Sequence, residues 1–222
     1  DIMFSSFDED VGSQERPFAM AAQAPARAWP EPEKLKIVLE RLAAAKRPML
    51  IGGHGVWWSG AEDLLEEAGR RLCIPIFNIP YHQKLLGEDC EAYMGLADVH
   101  QYHPSADAFN EADLVLMVGG RLDNQMNFGN PPLFPATTTL CCINGSHEEV
   151  DFNRAADMTL LSDPGAFLQA VIDTSAGGHI STDKAWFELN RRRRAEWVAK
   201  MIADVEAEAA NDEFGGRIHP MQ

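Results

Sequence analysis

The sequence predicts an α/β fold: a Rossmann-like, three-layer α/β/α domain on a mainly parallel sheet of about five or six strands, with an N-terminal strap and a C-terminal linker helix. Three observations predict it. Short apolar or β-branched runs alternate with longer helical patterns, as parallel sheets covered on both faces require. Each run is closed by turn residues. The first run flows into the glycine-rich turn "MLIGGHGVWWSG" (49–60) and then into a further helical pattern.

Residues 1–30 carry Pro17, Pro25 and Pro30 among small polar residues with little periodicity, which reads as a linker or strap. A domain begins near Glu31. In "EPEKLKIVLERLAAAKRP" the apolar residues Leu35, Val38, Leu39 and Leu42 recur at helical spacing, with Pro32 in the first turn and Pro48 beyond the last. Met49 to Ile51 form a short first strand, followed by the glycine turn. "SGAEDLLEEAGRRL" then offers Ser59 as a cap, acids in the early turn and arginines in the late one, matching the helix dipole. "CIPIFNIP" (73–80), "ADLVLMVGG" (112–120), "TTTLCCIN" (137–144) and "DMTLLSD" (157–163) read as strands two to five, with a helix from Pro164 to about Val171. The tail 181–210 is rich in helix formers. Its four-arginine run, Arg191 to Arg194, is followed by acids from Asp204 onward, so it reads as a solvated, ion-paired helix leaving the domain. The central domain therefore spans 31–175, between connecting segments 1–30 and 176–222.

Composition narrows the function. Asp plus Glu number 34 against 19 Lys plus Arg, a net charge of -15, which disfavours nucleic acid and anionic membranes as partners. No apolar run approaches the roughly 20 residues of a spanning helix, and no signal peptide is visible, so a cytoplasmic location is expected. Cys73, Cys90, Cys141 and Cys142 show no CxxC spacing, and the adjacent pair is expected to point to opposite faces of one strand. Neither a disulfide framework nor a metal site is expected. His100 and His103, the only close histidine pair, read as surface or capping residues.

Ligands of open parallel sheets sit beyond the carboxyl ends of the strands. Gly53, His54, Gly55, Gly119, Gly120 and Arg121 all fall there. A glycine turn between strand and helix lets backbone amides approach a phosphate, and the helix N-terminus favours its charge. The alternative is that the glycines only make a tight turn, with one of Trp57 and Trp58 packed inward. Trp58 stands at the third glycine position of a dinucleotide fingerprint, which the turn therefore does not match. The planar guanidinium of Arg121 suits a pyrophosphate; the alternative is an ion-pair arginine near Asp123.

In order, "RPMLIGGHGVWWSGAEDLLEEAGRRLCIPIFNIP", "EADLVLMVGGRLDNQMNFGNPP" and "DPGAFLQAV" resemble the central domain of thiamine-diphosphate enzymes related to acetolactate synthase, over about residues 31–175. That group includes oxalyl-CoA decarboxylase, 2-hydroxyacyl-CoA lyase, benzaldehyde lyase and glyoxylate carboligase. The opening "DIM", with no Met at position 1, resembles the last strand of the family's pyrimidine-binding domain, and "RIHPMQ" resembles the start of its diphosphate-binding domain. The chain is then expected to be a middle piece of a longer polypeptide, with the neighbouring domains as its partners.

The resemblance implies a full-length parent that makes or breaks carbon–carbon bonds next to a carbonyl, using thiamine diphosphate and magnesium. Its substrates would be a small 2-keto acid, an aldehyde or an acyl-CoA, and it would be a homo-oligomer. In the family the activating glutamate lies in the N-terminal domain and a GDG…N motif in the C-terminal one. No GDG occurs in this chain, so no catalytic residue, cofactor binding or turnover is expected of it alone. The middle domain supplies scaffold, subunit contacts and, in some members, an FAD or ADP site. Family positions carry over onto Gly53, His54, Gly55, Gly120, Arg121 and Asp163. FAD-containing relatives commonly carry "I-D-I-D" after the fourth strand, where this chain has Ile143, Asn144, Gly145 and Ser146. His54 also replaces a usual third glycine, and "SDP" (162–164) replaces "GDV" or "GDA". These departures favour a vestigial nucleotide site. The loop 121–135, with Asn124, Asn127 and Phe128, corresponds to one that reaches toward substrate in relatives. Two other readings stand beside this one: an autonomous nucleotide- or CoA-binding module, and an NAD-type Rossmann dehydrogenase. The latter is opposed by Trp58 and by Phe77 and Asn78, where a ribose-binding acid is expected.

Overall fold

The computed structural model describes residues 26–80, 85–100, 102–132, 134–151, 153–175 and 183–210. The stretches "DIM" and "RIHPMQ" lie outside them. Six strands form one sheet: β1 (Pro48–Gly52), β2 (Ile76–Asn78), β3 (Tyr93–Leu96), β4 (Leu114–Val118), β5 (Thr139–Asn144) and β6 (Met158–Leu161). Their spatial order is β3-β2-β1-β4-β5-β6, and every pairing is parallel. The chain runs outward from β1 to β3, then returns to lay β4 against the other side of β1. This reversal places the topological switch point between β1 and β4, where such sheets open a crevice at their carboxyl ends.

The strands are apolar because helices flank the sheet. Every residue of β1 and β4 is buried. Cys141 and Cys142 point to opposite faces as alternate strand residues must, yet both are buried. Burial pushes both thiols up to about 12.

Helix α1 (Pro32–Ala44) starts with proline in its first turn and buries Val38, Leu39 and Leu42. Helix α3 (Glu62–Leu72) buries Leu65, Ala68, Gly69 and Leu72, with Glu62 and Asp63 in its first turn and Arg70 and Arg71 in its last. It packs against α5 (Pro164–Ser175), which extends beyond the expected end near Val171.

Two elements escaped the sequence reading. Strand β3 is only four residues long and contains Gly95 at φ +112, so its apolar run is too short and broken to register. Helix α4 (His103–Glu111) opens with His103 and Pro104 and buries Pro104, Ser105, Ala108 and Phe109. The histidines next to it have local tasks: His100 shares a 2.9 Å hydrogen bond with the Asn124 carbonyl, and His103 packs 4.7 Å from the Trp197 ring.

The segment after β1 is a helical turn, α2 (His54–Trp58), not an open loop. Its geometry explains the glycines. Gly53 N–H donates to the Val118 carbonyl at 2.9 Å, and Gly55 N–H to the Gly119 carbonyl at 2.8 Å. A Cβ on Gly53 would lie 2.5 Å from Gly119 O and 2.7 Å from Gly120 N; one on Gly55 would lie 2.7 Å from Gly119 Cα. Gly119 itself adopts φ +66, a left-handed conformation that L side chains rarely take. Two backbones touch here, and only glycine on both sides permits it.

Ser59 corrects another expectation. It ends α2 instead of capping α3, whose N-cap is Ala61 with no side-chain bond. Neither tryptophan packs inward as one was expected to: Trp57 is 37% exposed and Trp58 77%, and the two rings meet edge to face at 4.7 Å.

The long helix α6 (Lys184–Ala210) docks by its first half. Trp186 is buried and its Nε1 donates to the Pro48 carbonyl at 2.8 Å. The arginine run is ion-paired, as its composition suggests, but unevenly solvated. Arg193 and Arg194, at 19% and 16% side-chain exposure, pair with Glu111 and Glu88, whereas Arg191 and Arg192 stay exposed beside Glu188 and Glu196. No described helix is long and apolar enough to cross a membrane.

Gly53→Ala is expected to cost about 3 kcal/mol, through overpacking against backbone that cannot move as a side-chain tip can. Gly145→Ala, whose Cβ would meet only Ser162 O at 4.0 Å, should change stability by no more than about 0.5 kcal/mol. Urea denaturation midpoints of the two variants check the contrast. In the native chain Cys73 should react with a thiol reagent first, while Cys141 and Cys142 wait for unfolding. Timed labelling with mass spectrometry reads the order.

Candidate functional site

The switch point carries a cleft of about 350 Å³. The turn from β1 contributes His54, Gly55 and Trp58, and the end of β2 contributes Ile79. Beyond β4 come Gly119, Gly120, Arg121 and Asp123; beyond β5 come Asn144 and, from the short 3-10 turn His147–Glu149, Glu149.

Several of the groups that would hold an anion are already engaged. The amides of Gly53 and Gly55 bond to strand-end carbonyls, and Val56 N–H donates to Gly53 O at 3.0 Å. They cannot at once cradle a phosphate. Arg121 Nη1 faces both carboxylate oxygens of Glu149, at 3.3 and 3.5 Å, so Glu149 is a bridged partner, while Asp123 feels the same charge from nearby. Burial raises the Asp123 carboxyl above its usual range, opposed by hydrogen bonds from Gln125 and Met126 and by the Arg121 charge. Asn144 Nδ2 donates to Gly120 O at 3.4 Å, and its Oδ1 accepts from Ser146 N–H at 3.2 Å.

Of the residues singled out from sequence, His54, Gly55, Gly120 and Arg121 line the cleft together. Gly53 lies behind it, against the Gly120 backbone. Asp163 is not among the lining residues. Its Oδ1 accepts from Ala166 N–H at 2.9 Å, capping α5, and its Oδ2 accepts from Ser59 Oγ at 2.8 Å. Arg27 approaches the same carboxylate at 3.7 Å and donates to Ser59 O at 2.7 Å. Asp163 therefore joins the strap, α2 and α5. Asn124, Asn127 and Phe128 fall in a 3-10 segment, Asn124–Gly129, and Phe128 is 44% exposed. None of the three lines the cleft.

Sequence reasoning passed over Glu149 and Ile79. The acidic pair Glu148 and Glu149 directly after a strand end was the available signal for the first. Ile79 reaches the cleft only because β2 lies beside β1, which is a fact of strand order. Among the described residues, no group of three or more His, Cys, Asp or Glu side chains converges as a metal ion would need.

Comparison with known proteins agrees with this architecture. 2-Hydroxyacyl-CoA lyase 1 of Dictyostelium discoideum is 31% identical over 127 residues, covering 57% of this chain and 20% of the relative. The acetolactate synthase large subunit of Lactococcus lactis is 26% identical over 140 residues, covering 63% and 24%. The crystal structure of benzoylformate decarboxylase from Polynucleobacter necessarius superposes with a TM-score of 0.58 at 22% identity, over 71% of this chain and 30% of that one, and bears on the fold alone. The chain thus spans less than a third of the length of these proteins. Residues 35–171, from within α1 into α5 and including all six strands, match the family described as "Thiamine pyrophosphate enzyme, central domain", and the chain belongs to that family.

Proposed function

We propose that this chain is the scaffold domain of a thiamine-diphosphate-dependent enzyme that makes or breaks a carbon–carbon bond next to a carbonyl. The observation that carries the proposal is the family match from α1 to α5, which takes in the whole sheet and its switch point. The relatives named above are a lyase and a synthase, so the reaction class is a carboligation, decarboxylation or lyase step on a small 2-keto acid, aldehyde or acyl-CoA. The parent is a cytoplasmic homo-oligomer in which thiamine diphosphate and magnesium are held by neighbouring domains. When bound there, the coenzyme supplies the electron sink for the carbanion. This domain's contribution is rigidity: β1, α2 and the β4 end meet backbone to backbone, and Asp163 ties α2 to α5 and the strap.

FAD or ADP fits the cleft poorly. The amides of Gly55 and Gly119 are satisfied internally, and Asp123 and Glu149 add negative charge. An NAD-type dehydrogenase fits less well still: Asn78, at the end of β2 where a ribose-binding acid would stand, is buried.

Calorimetric titration of this chain with thiamine diphosphate plus magnesium, FAD, ADP, CoA and NAD tests the reading. Silence is expected with thiamine diphosphate up to about 1 mM, and little or no heat with the others. Tight thiamine diphosphate binding would overturn the assignment. Tight CoA or FAD binding would favour an autonomous nucleotide-binding module instead.

A further inference from the structure

Several groups at the switch-point cleft that an external diphosphate would use have an internal partner. The amides of Gly53 and Gly55 serve strand-end carbonyls, and the Asn144 carboxamide bridges Gly120 O and Ser146 N–H. Arg121 is the one permanently cationic residue of the lining, and both oxygens of Glu149 lie within 3.5 Å of its Nη1. We infer that Glu149 is a built-in counter-ion for Arg121, and that through it the cleft excludes di- and trianionic phosphate ligands.

The inference deepens the reading above and rests on it only in taking this cleft as the place where a nucleotide would sit. Three features make Glu149 suited to the role. It is delivered from the turn that directly follows β5, with its N–H bonded to Ser146 O at 3.3 Å, so its backbone is held at the cleft edge. Its carboxylate is in the acceptor position that a phosphate oxygen would take on a guanidinium. Asp123 on the same lining adds a second acid near the same arginine. Side-chain exposure of 50% for Arg121 and 35% for Glu149 keeps the pair well solvated, so the exclusion is graded. Removing the carboxylate takes the Glu149 acceptor away from Arg121 Nη1 and also removes a like charge from the path of the incoming anion, which together should strengthen binding about three- to tenfold.

The test is calorimetric titration of the 222-residue chain with ADP and with inorganic pyrophosphate, at low and at moderate salt. It compares the native chain, Glu149→Gln, Glu149→Ala, Arg121→Ala and the Glu149→Gln/Arg121→Ala double variant. Both Glu149 variants should bind pyrophosphate and ADP about three- to tenfold more tightly than the native chain, and the double variant should lose the gain. Circular dichroism confirms folding, and two different replacements guard against one failing to fold. The inference is overturned if the native chain already binds as tightly as the variants, if neither variant gains, or if the gain survives loss of Arg121. Thiamine diphosphate with magnesium, run on the same samples, reads the parent assignment separately: its binding would count against the central-domain reading whatever pyrophosphate does.

Discussion

The contact on which this structure depends is between two stretches of backbone. Where β1 ends, Gly53 and Gly55 lie against Gly119 and Gly120, where β4 ends, at distances that leave no room for a Cβ. Two N–H···O bonds, Gly53 to Val118 and Gly55 to Gly119, close the contact. Because β1 and β4 are the strands at which the chain reverses direction, this joint fixes the two halves of the sheet at the crevice they share. A glycine-rich strand end usually suggests an opening for a ligand. Here the same residues are consumed by the protein itself.

The polar residues in the cleft and just outside it, where Asp163 lies, follow the same logic. Asn144, Glu149 and Asp163 are polar residues at strand ends, and all three bind protein groups. Asp163 shows the consequence most plainly. A carboxylate at the start of a helix can hold a ligand's hydroxyl or cap the helix, and its bonds to Ala166 N–H and Ser59 Oγ make it a cap and a tie. Polar groups are tied to protein where the fold would allow a binding site. That suits the scaffold role proposed for the domain.

Much of this was legible in the residues. The five expected strands and the two helices α1 and α3 follow directly from apolar runs and helical spacing, because parallel strands and amphipathic helices differ sharply in period. Strand β3 was hidden by its length and by Gly95, which breaks the run. Helix α4 was hidden by its small apolar face and a histidine-proline start. Ser59 was read as a cap from its position before an acidic turn, yet the turn before it is itself helical, so its hydroxyl serves Gly55 O and Asp163 instead. Both tryptophans are exposed because the helix carrying them is only five residues long and its one buried residue is Val56.

The sequence by itself determined the fold class, the family and the group His54, Gly55, Gly120 and Arg121, since all of these depend on local pattern and on the short stretches that carry it. Only the tertiary structure decided what those residues do. Hydrogen-bond partners such as Glu149 for Arg121, 28 positions away, and Gly119 for Gly55 come from different strands, and nothing in the local pattern ranks them. A glycine that makes room for phosphate and a glycine that makes room for backbone look alike in sequence. Strand order distinguishes them, because it places the β4 carbonyls where a ligand would otherwise lie.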